Sequence, residues 1–230
     1  MLFIKPPHPA ETKEMLGLVA SLVLRCDHCI SYHIIRCYEE GVSHQELEEV
    51  LAVGLVVGGS ITIPHLRRAL ESWDNLRRKD MFSKLLEEVK QIVESDQKRE
   101  EKLKAICNLL KERVEHYNWV GFYLVNPQKE KELVLGPFAG EPTEHIHIPF
   151  GKGICGQAAE REESFVVQDV SEEKNYLSCS PEVKSEIVVP IFKDGKLVAQ
   201  LDIDSHHLSP FSEEDRVFLE KVADSVSELI

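Results

Sequence analysis

No run of apolar residues in this chain approaches the ~20 that a membrane-spanning helix requires, and no signal peptide precedes the first helical segment. Positive charge is also scarce. Against 40 Asp and Glu stand 27 Lys and Arg, for a formal net charge of −13. A nucleic-acid or anionic-membrane surface needs clustered cations, so the balance argues against both partners. These absences lead us to expect a cytoplasmic protein. In that reducing setting the six cysteines are expected to be catalytic, metal-bound or singly buried rather than structural staples.

What is present is an ordinary globular composition, 43% hydrophobic and 29% charged, spread over 230 residues. That length predicts two domains, and the patterning divides them at residues 1–77 and 78–230. The first reads as all-helical. Glu11–Arg25 carries Met15, Leu16, Val19, Leu22 and Val23 at helical spacing. A second helix follows Cys26-Asp27-His28-Cys29 and stops at Gly41. Ser43-His44-Gln45-Glu46 is a capping box for a third, Gly58-Gly59 breaks it, and a fourth spans about Ile61–Leu76.

A C-x-x-C at a helix N-terminus has direct chemical meaning, because backbone N–H groups and the helix dipole favour a thiolate there. His33 lies four residues after Cys29 and shares its face. A zinc half-site using Cys26 and Cys29 with His28 or His33 lacks its remaining ligands, since no second C-x-x-C or H-x₃-H exists. No metal site is expected. Glu14, on spacing alone, is a solvated helix residue, and Cys37 a buried one.

Met81–Tyr117 predicts two connector helices separated at Ser95-Asp96, with Cys107 on the apolar stripe. Beyond them Asn118–Val125 reads as a strand with Trp119 and Tyr123 on one face, followed by strands at Glu132–Leu135 and Ile146–Ile148. A helix is expected after Gly153-Ile154-Cys155-Gly156, then a strand at Ser164–Gln168. Ile187–Phe192 and Leu197–Ile203 flank Lys193-Asp194-Gly195-Lys196, a hairpin signal because Asp-Gly supplies positive φ. Glu186 opens this hairpin, while Asp202 and Asp204 close it on one face. Carboxylates in an apolar sheet are costly unless they bind something. A terminal amphipathic helix begins after Ser212. The fold class expected is therefore multi-domain: an N-terminal all-α domain and a C-terminal α+β domain with a central antiparallel sheet.

Two resemblances attach to these motifs. Glu14…Cys26-x-x-Cys29-x-x-x-His33, with the Gly41 and Gly58-Gly59 breaks, resembles the alkylhydroperoxidase D-like branch of the carboxymuconolactone decarboxylase superfamily over roughly residues 10–75. The resemblance implies Cys29 as attacking thiol, Cys26 as its disulfide partner, Glu14 and His33 as a proton relay, and a homo-oligomer. N-W-V-G-F-Y, L-G-P-F-A-G, I-P-F-G-K-G-I-C-G, S-E-I-V-V-P and L-D-I-D-S together resemble a GAF domain of the free methionine-(R)-sulfoxide reductase family. That resemblance implies Cys179 as attacking cysteine and Cys155 as its partner thiol. Glu186, Asp202 and Asp204 would hold the substrate, with Trp119 and Tyr123 walling its methyl group. Commoner members carry a further cysteine ten residues before the G-x-C-G cysteine, where this chain has His145.

The resemblances imply thiol-dependent reduction of free methionine-(R)-sulfoxide through a sulfenic acid and a disulfide. Redox-active cysteines serve in place of any cofactor, and a thioredoxin-like or other dithiol reductant is the external partner. The activated C-x-x-C is then a built-in electron donor. Two alternatives stand beside this: a GAF-based redox or small-molecule sensor, and a dithiol peroxidase with an accessory GAF domain.

Overall fold

The computed structural model describes residues 9–177 and 180–230. They form two compact units, divided between Met81 and Phe82. The first contains helices α1 (Ala10–Leu24), α2 (Asp27–Glu39) and α3 (His44–Gly58), and the beginning of α4 (Ile63–Glu94). Leu18, Leu22, Ile30, Ile34, Leu47, Leu51 and Trp73 form its core. Helix α1 ends where Arg25 turns left-handed at φ 57°, with the Arg25 N–H on the Leu22 carbonyl and the Cys26 N–H on that of Ser21. Both bonds close orphan carbonyls. Cys26 then caps α2, so the residues that end one helix and start the next are adjacent. The expected capping box on α3 is present, Ser43 and Glu46 bonding reciprocally.

One expectation needs correction. The fourth helix does not stop near Leu76, and no separate connector helix begins at Met81; α4 is continuous for 32 residues. The intervening Arg-Arg-Lys-Asp-Met contains neither Gly nor Pro, so nothing interrupts helical backbone there.

The second unit adds α5 (Arg99–Arg113), β1 (Trp119–Val125), β2 (Glu132–Ala139) and β3 (His147–Pro149). It continues with α6 (Gly153–Arg161), β4 (Phe165–Val167), β5 (Ser185–Lys193), β6 (Lys196–Ser205) and α7 (Glu213–Val226). The six strands make one sheet in the order β3-β2-β1-β6-β5-β4, with every adjacent pair antiparallel. The β5–β6 turn forms at Asp194 (φ 52°) and Gly195 (φ 72°), the paired positive φ that a two-residue hairpin demands. Trp119, Tyr123 and Val188 share a buried cluster with Cys155 and Ala158 of α6. The alternate residues Val120, Phe122, Leu201 and Ile203 are also buried. They face the other way by the strand period. Helix α5 packs on β1 and β2, and α7 on β5 and β6. Cys107 is in the core, as its place on the stripe predicts, with its thiol on the Pro137 carbonyl at 3.4 Å.

A second correction concerns Gly153-Ile154-Cys155-Gly156. The helix does not follow this segment but begins at Gly153, placing Cys155 in its first turn. Gly153, at φ 64°, permits the sharp entry.

Candidate active site

The sheet face under α6 collects the predicted carboxylates. Because β1 and β6 pair antiparallel, Asp204 stands opposite Trp119, Asp202 opposite Gly121, and Gln200 opposite Tyr123. Across the hairpin, Glu186 stands opposite Asp204 and Val188 opposite Asp202. Period two then puts Glu186, Gln200, Asp202 and Asp204 on the same face as Trp119 and Tyr123. Gly121 is necessary to this arrangement, since a Cβ there would stand against the Trp119 indole. A Cβ on Gly140 would meet the same ring from its other edge, 2.9 Å from Cγ. Trp119 is thus slotted between two glycines, donates from Nε1 to the Glu141 carbonyl at 3.0 Å, and stacks on Phe138. Tyr123 lies 6.4 Å from Trp119 between ring centroids and donates its hydroxyl to the His145 carbonyl at 2.9 Å.

Cys155 hangs over this face. Its carbonyl accepts from Gln200 Nε2 at 3.2 Å, tying the first turn of α6 to β6. Its Sγ lies within 4.8 Å of an oxygen of Glu186 and of Asp202, and those two oxygens lie within the same limit of each other. The thiol and the three carboxyls are all at most 5% exposed. Burial pushes Glu186 well above the carboxylate range, and the charges of Asp202 and Asp204 push it further. Burial likewise lifts Asp202 to about 7, opposed by hydrogen bonds from Cys155 and the Ile203 N–H, and lifts Asp204, helped by the Asp202 charge. The cluster therefore keeps at least one carboxylic proton near neutrality. It borders a cavity of about 10 Å³ lined by His145, Lys152, Gly153, Cys155, Leu177, Glu186 and Asp202 among others. That space suits a single water. An amino acid needs the lining to move; Leu177, one of the lining side chains, lies against Gly153.

In the first unit Cys26 accepts a hydrogen bond from the Cys29 N–H at 3.4 Å. Bonding to Cys29, through its side chain and then its N–H, lowers the Cys26 pKa, and the same partnership raises that of Cys29. His33 Nδ1 and Glu14 Oε2 are 2.7 Å apart, and the imidazole lies over Gly17, where any Cβ would collide with it. Buried Cys37 is driven up to about 11 by desolvation and by the Glu14 charge.

The structure brings Trp119, Tyr123, Cys155, Glu186, Asp202 and Asp204 together in one unit; in the other it pairs Cys26 with Cys29 and Glu14 with His33. Cys179 lies outside the described residues. His145 is half-buried at the cavity, not on an open surface loop. Sequence reasoning missed three groups. Gln200 is detectable by extending the alternation back from Asp202. Lys152 at the cavity carries no signal of its own. Asp27, inside the C-x-x-C, is gripped by His65 at 2.7 Å and by Arg68 at 2.9 Å from α4. Separations of 38 and 41 residues hid that pairing.

An antiparallel six-stranded sheet flanked by helices, with a thiol over its central strands, defines a GAF-type domain. The GAF domain family model matches residues 97–230, and the carboxymuconolactone decarboxylase family model matches residues 2–72. The free methionine-R-sulfoxide reductase of Saccharomyces cerevisiae is 45% identical over 107 residues, 46% of this chain and 59% of that protein. The Escherichia coli protein of the same name is 34% identical over 53% of this chain and 72% of its own. Among solved structures, the free methionine-R-sulfoxide reductase of Neisseria meningitidis in complex with its substrate superposes with TM-score 0.62. It is 36% identical and covers 66% of this chain and 89% of that one. The chain belongs to the GAF-domain family, in its free methionine-R-sulfoxide reductase branch, joined to an N-terminal helical unit of carboxymuconolactone decarboxylase type.

Proposed function

We propose that this protein reduces free methionine-(R)-sulfoxide to methionine and that its C-x-x-C unit supplies the electrons. One observation carries the reading: three buried carboxyls and an aromatic pair share the sheet face beneath Cys155. An ammonium group suits a cluster that cannot hold all its protons as pH rises, and a peptide-bound sulfoxide has no ammonium to offer. Trp119 and Tyr123 provide an apolar wall for the methyl group.

In the chemical step the Cys179 thiolate attacks the sulfoxide sulfur, the role the family resemblance assigns it. A protonated carboxyl of the cluster delivers the proton that the departing oxygen requires. Methionine leaves, and the oxygen stays on Cys179 as a sulfenic acid. The Cys155 thiol condenses with it, releasing water and forming a disulfide. The Cys26/Cys29 dithiol then reduces that disulfide by exchange, within or between chains, and an external dithiol reductant regenerates it. The resemblance gives the exchange attack to Cys29, whereas the hydrogen bonding supports Cys26 as the thiolate.

A single-turnover titration tests both parts. The fully reduced protein, freed of reductant, is mixed with free methionine-(R)-sulfoxide and the methionine released per chain is counted. About two equivalents support the relay, because both dithiols empty into substrate. About one, unchanged by Cys26→Ser/Cys29→Ser, removes the relay. None removes the reductase.

A further inference from the structure

The thiol–carboxylate cluster has a second capacity. Cys155 Sγ and one oxygen each of Glu186 and Asp202 converge within 4.8 Å, the spacing of a three-ligand set drawn around a point. Two carboxylate oxygens of the same face, Oδ1 of Asp202 and Oδ1 of Asp204, are buried with no hydrogen-bond partner. Unsatisfied carboxylate oxygens at 1% exposure are costly, and the cost falls with a water, a proton, an ammonium or a metal cation. The adjoining cavity, about 10 Å³, admits a body the size of one water. A cation held by the protein's own ligands, with that one water beside it, suits the space; a hydrated octahedral Mg²⁺, which keeps several waters, does not.

We propose that the reduced protein binds a thiophilic divalent cation, Zn²⁺, through Cys155, Glu186 and Asp202. Zinc takes sulfur at ~2.3 Å and carboxylate oxygen at ~2.0–2.2 Å, which separates ligand atoms by roughly 3.5 Å in a tetrahedron. The three donors reach that spacing by small rotamer changes, and water completes the fourth position. Binding expels the Cys155 thiol proton and the cluster's carboxylic protons to solvent and transfers no electrons. The disulfide form lacks the thiolate and has no such site. If the reductase reading is right, zinc also occupies the carboxylates that the substrate ammonium would use, so the metal holds the reduced enzyme inactive and shields its thiol from oxidation.

The dithiol of the first unit is the competing metal ligand, so the experiment uses the full-length chain carrying Cys26→Ser and Cys29→Ser. Co²⁺ is titrated into the reduced protein and the near-ultraviolet sulfur-to-cobalt band recorded, followed by displacement with Zn²⁺. The expected result is one Co²⁺ per chain, a band bleached by one equivalent of Zn²⁺, and loss of the band on Cys155→Ser. Glu186→Gln preserves side-chain volume and is expected to weaken Co²⁺ binding at least tenfold with the thermal transition intact. A band that survives Cys155→Ser, or unchanged affinity in folded Glu186→Gln, overturns the proposal. No sulfoxide enters the measurement, so a failed metal titration leaves the reductase reading standing, and an absent reductase activity leaves the metal result standing.

Discussion

Glu186 and Asp204 face each other directly across the β5–β6 hairpin, and both are buried. Two like-charged groups in that register repel, and burial penalises each charge separately. Their pKa values are raised accordingly, with that of Asp202 beside them at about 7. The arrangement is unfavourable for the empty fold and favourable for a cationic ligand.

Stability should therefore depend on pH in a defined sense. Carboxyls with raised folded-state pKa values make the native state bind more protons than the unfolded state from about pH 4 up through their folded values, about 7 for Asp202. This contribution is fully present below about pH 4 and is lost as pH rises through the folded values. Asp204→Asn is expected to raise the melting temperature at pH 8, by roughly 2–4 °C per kcal/mol recovered, and to leave it nearly unchanged at pH 4. Comparing variant with wild type cancels the opposite contributions of Asp27, Glu46 and Asp215, whose pKa values are lowered. Equal melting shifts at both pH values would show that Asp204 is not held protonated.

Gly121→Ala should displace the Trp119 indole. The added methyl enters the space that the ring occupies on a central strand, a misfit that costs about 1–3 kcal/mol. The checks are a changed tryptophan emission spectrum and at least a tenfold fall in kcat/KM for the sulfoxide. An unaltered spectrum with full activity would mean that the Trp119 position is not demanding.

Tyr123→Phe removes the hydroxyl bond to the His145 carbonyl. A stability loss of about 1 kcal/mol is expected, together with a rise in KM as the wall segment at His145 loosens. Steady-state kinetics with free methionine sulfoxide would separate this from an effect on kcat, which the hydroxyl should barely touch.

In the C-x-x-C, Cys26 should alkylate before Cys29 at neutral pH, because its lowered pKa gives it the larger thiolate fraction. Limited iodoacetamide treatment of the reduced protein followed by peptide mapping reads the order. Preferential labelling of Cys29, the more exposed thiol, would show that access outweighs thiolate character.

Local pattern carried much of this site. Asp194-Gly195 set the hairpin turn, and the turn set the register that puts Glu186 opposite Asp204. Period two along β6 then placed Asp202 and Asp204 together, and the same period on β1 aligned Trp119 with Tyr123. Glu14, Cys26, Cys29 and His33 were likewise identifiable as a motif. The pairing of His33 with Glu14 was not, since they meet only because α1 and α2 pack with Gly17 open to the imidazole. The length of α4 was misread because a charged, helix-favouring stretch looks the same as linker or as helix interior.

The sequence by itself determined the helices with their caps, the turn that fixes the hairpin, and which carboxylates share a face. These depend on backbone conformations and periodicities that a few neighbouring residues settle. Only the tertiary structure decided that α6 lays Cys155 over that face and that Gln200 ties it there. It also decided that glycines at 121 and 140 clear a slot for Trp119 and that burial raises the carboxyl pKa values. Those outcomes arise from contacts between segments far apart in the chain, where packing and lost hydration, not local propensity, set the energy.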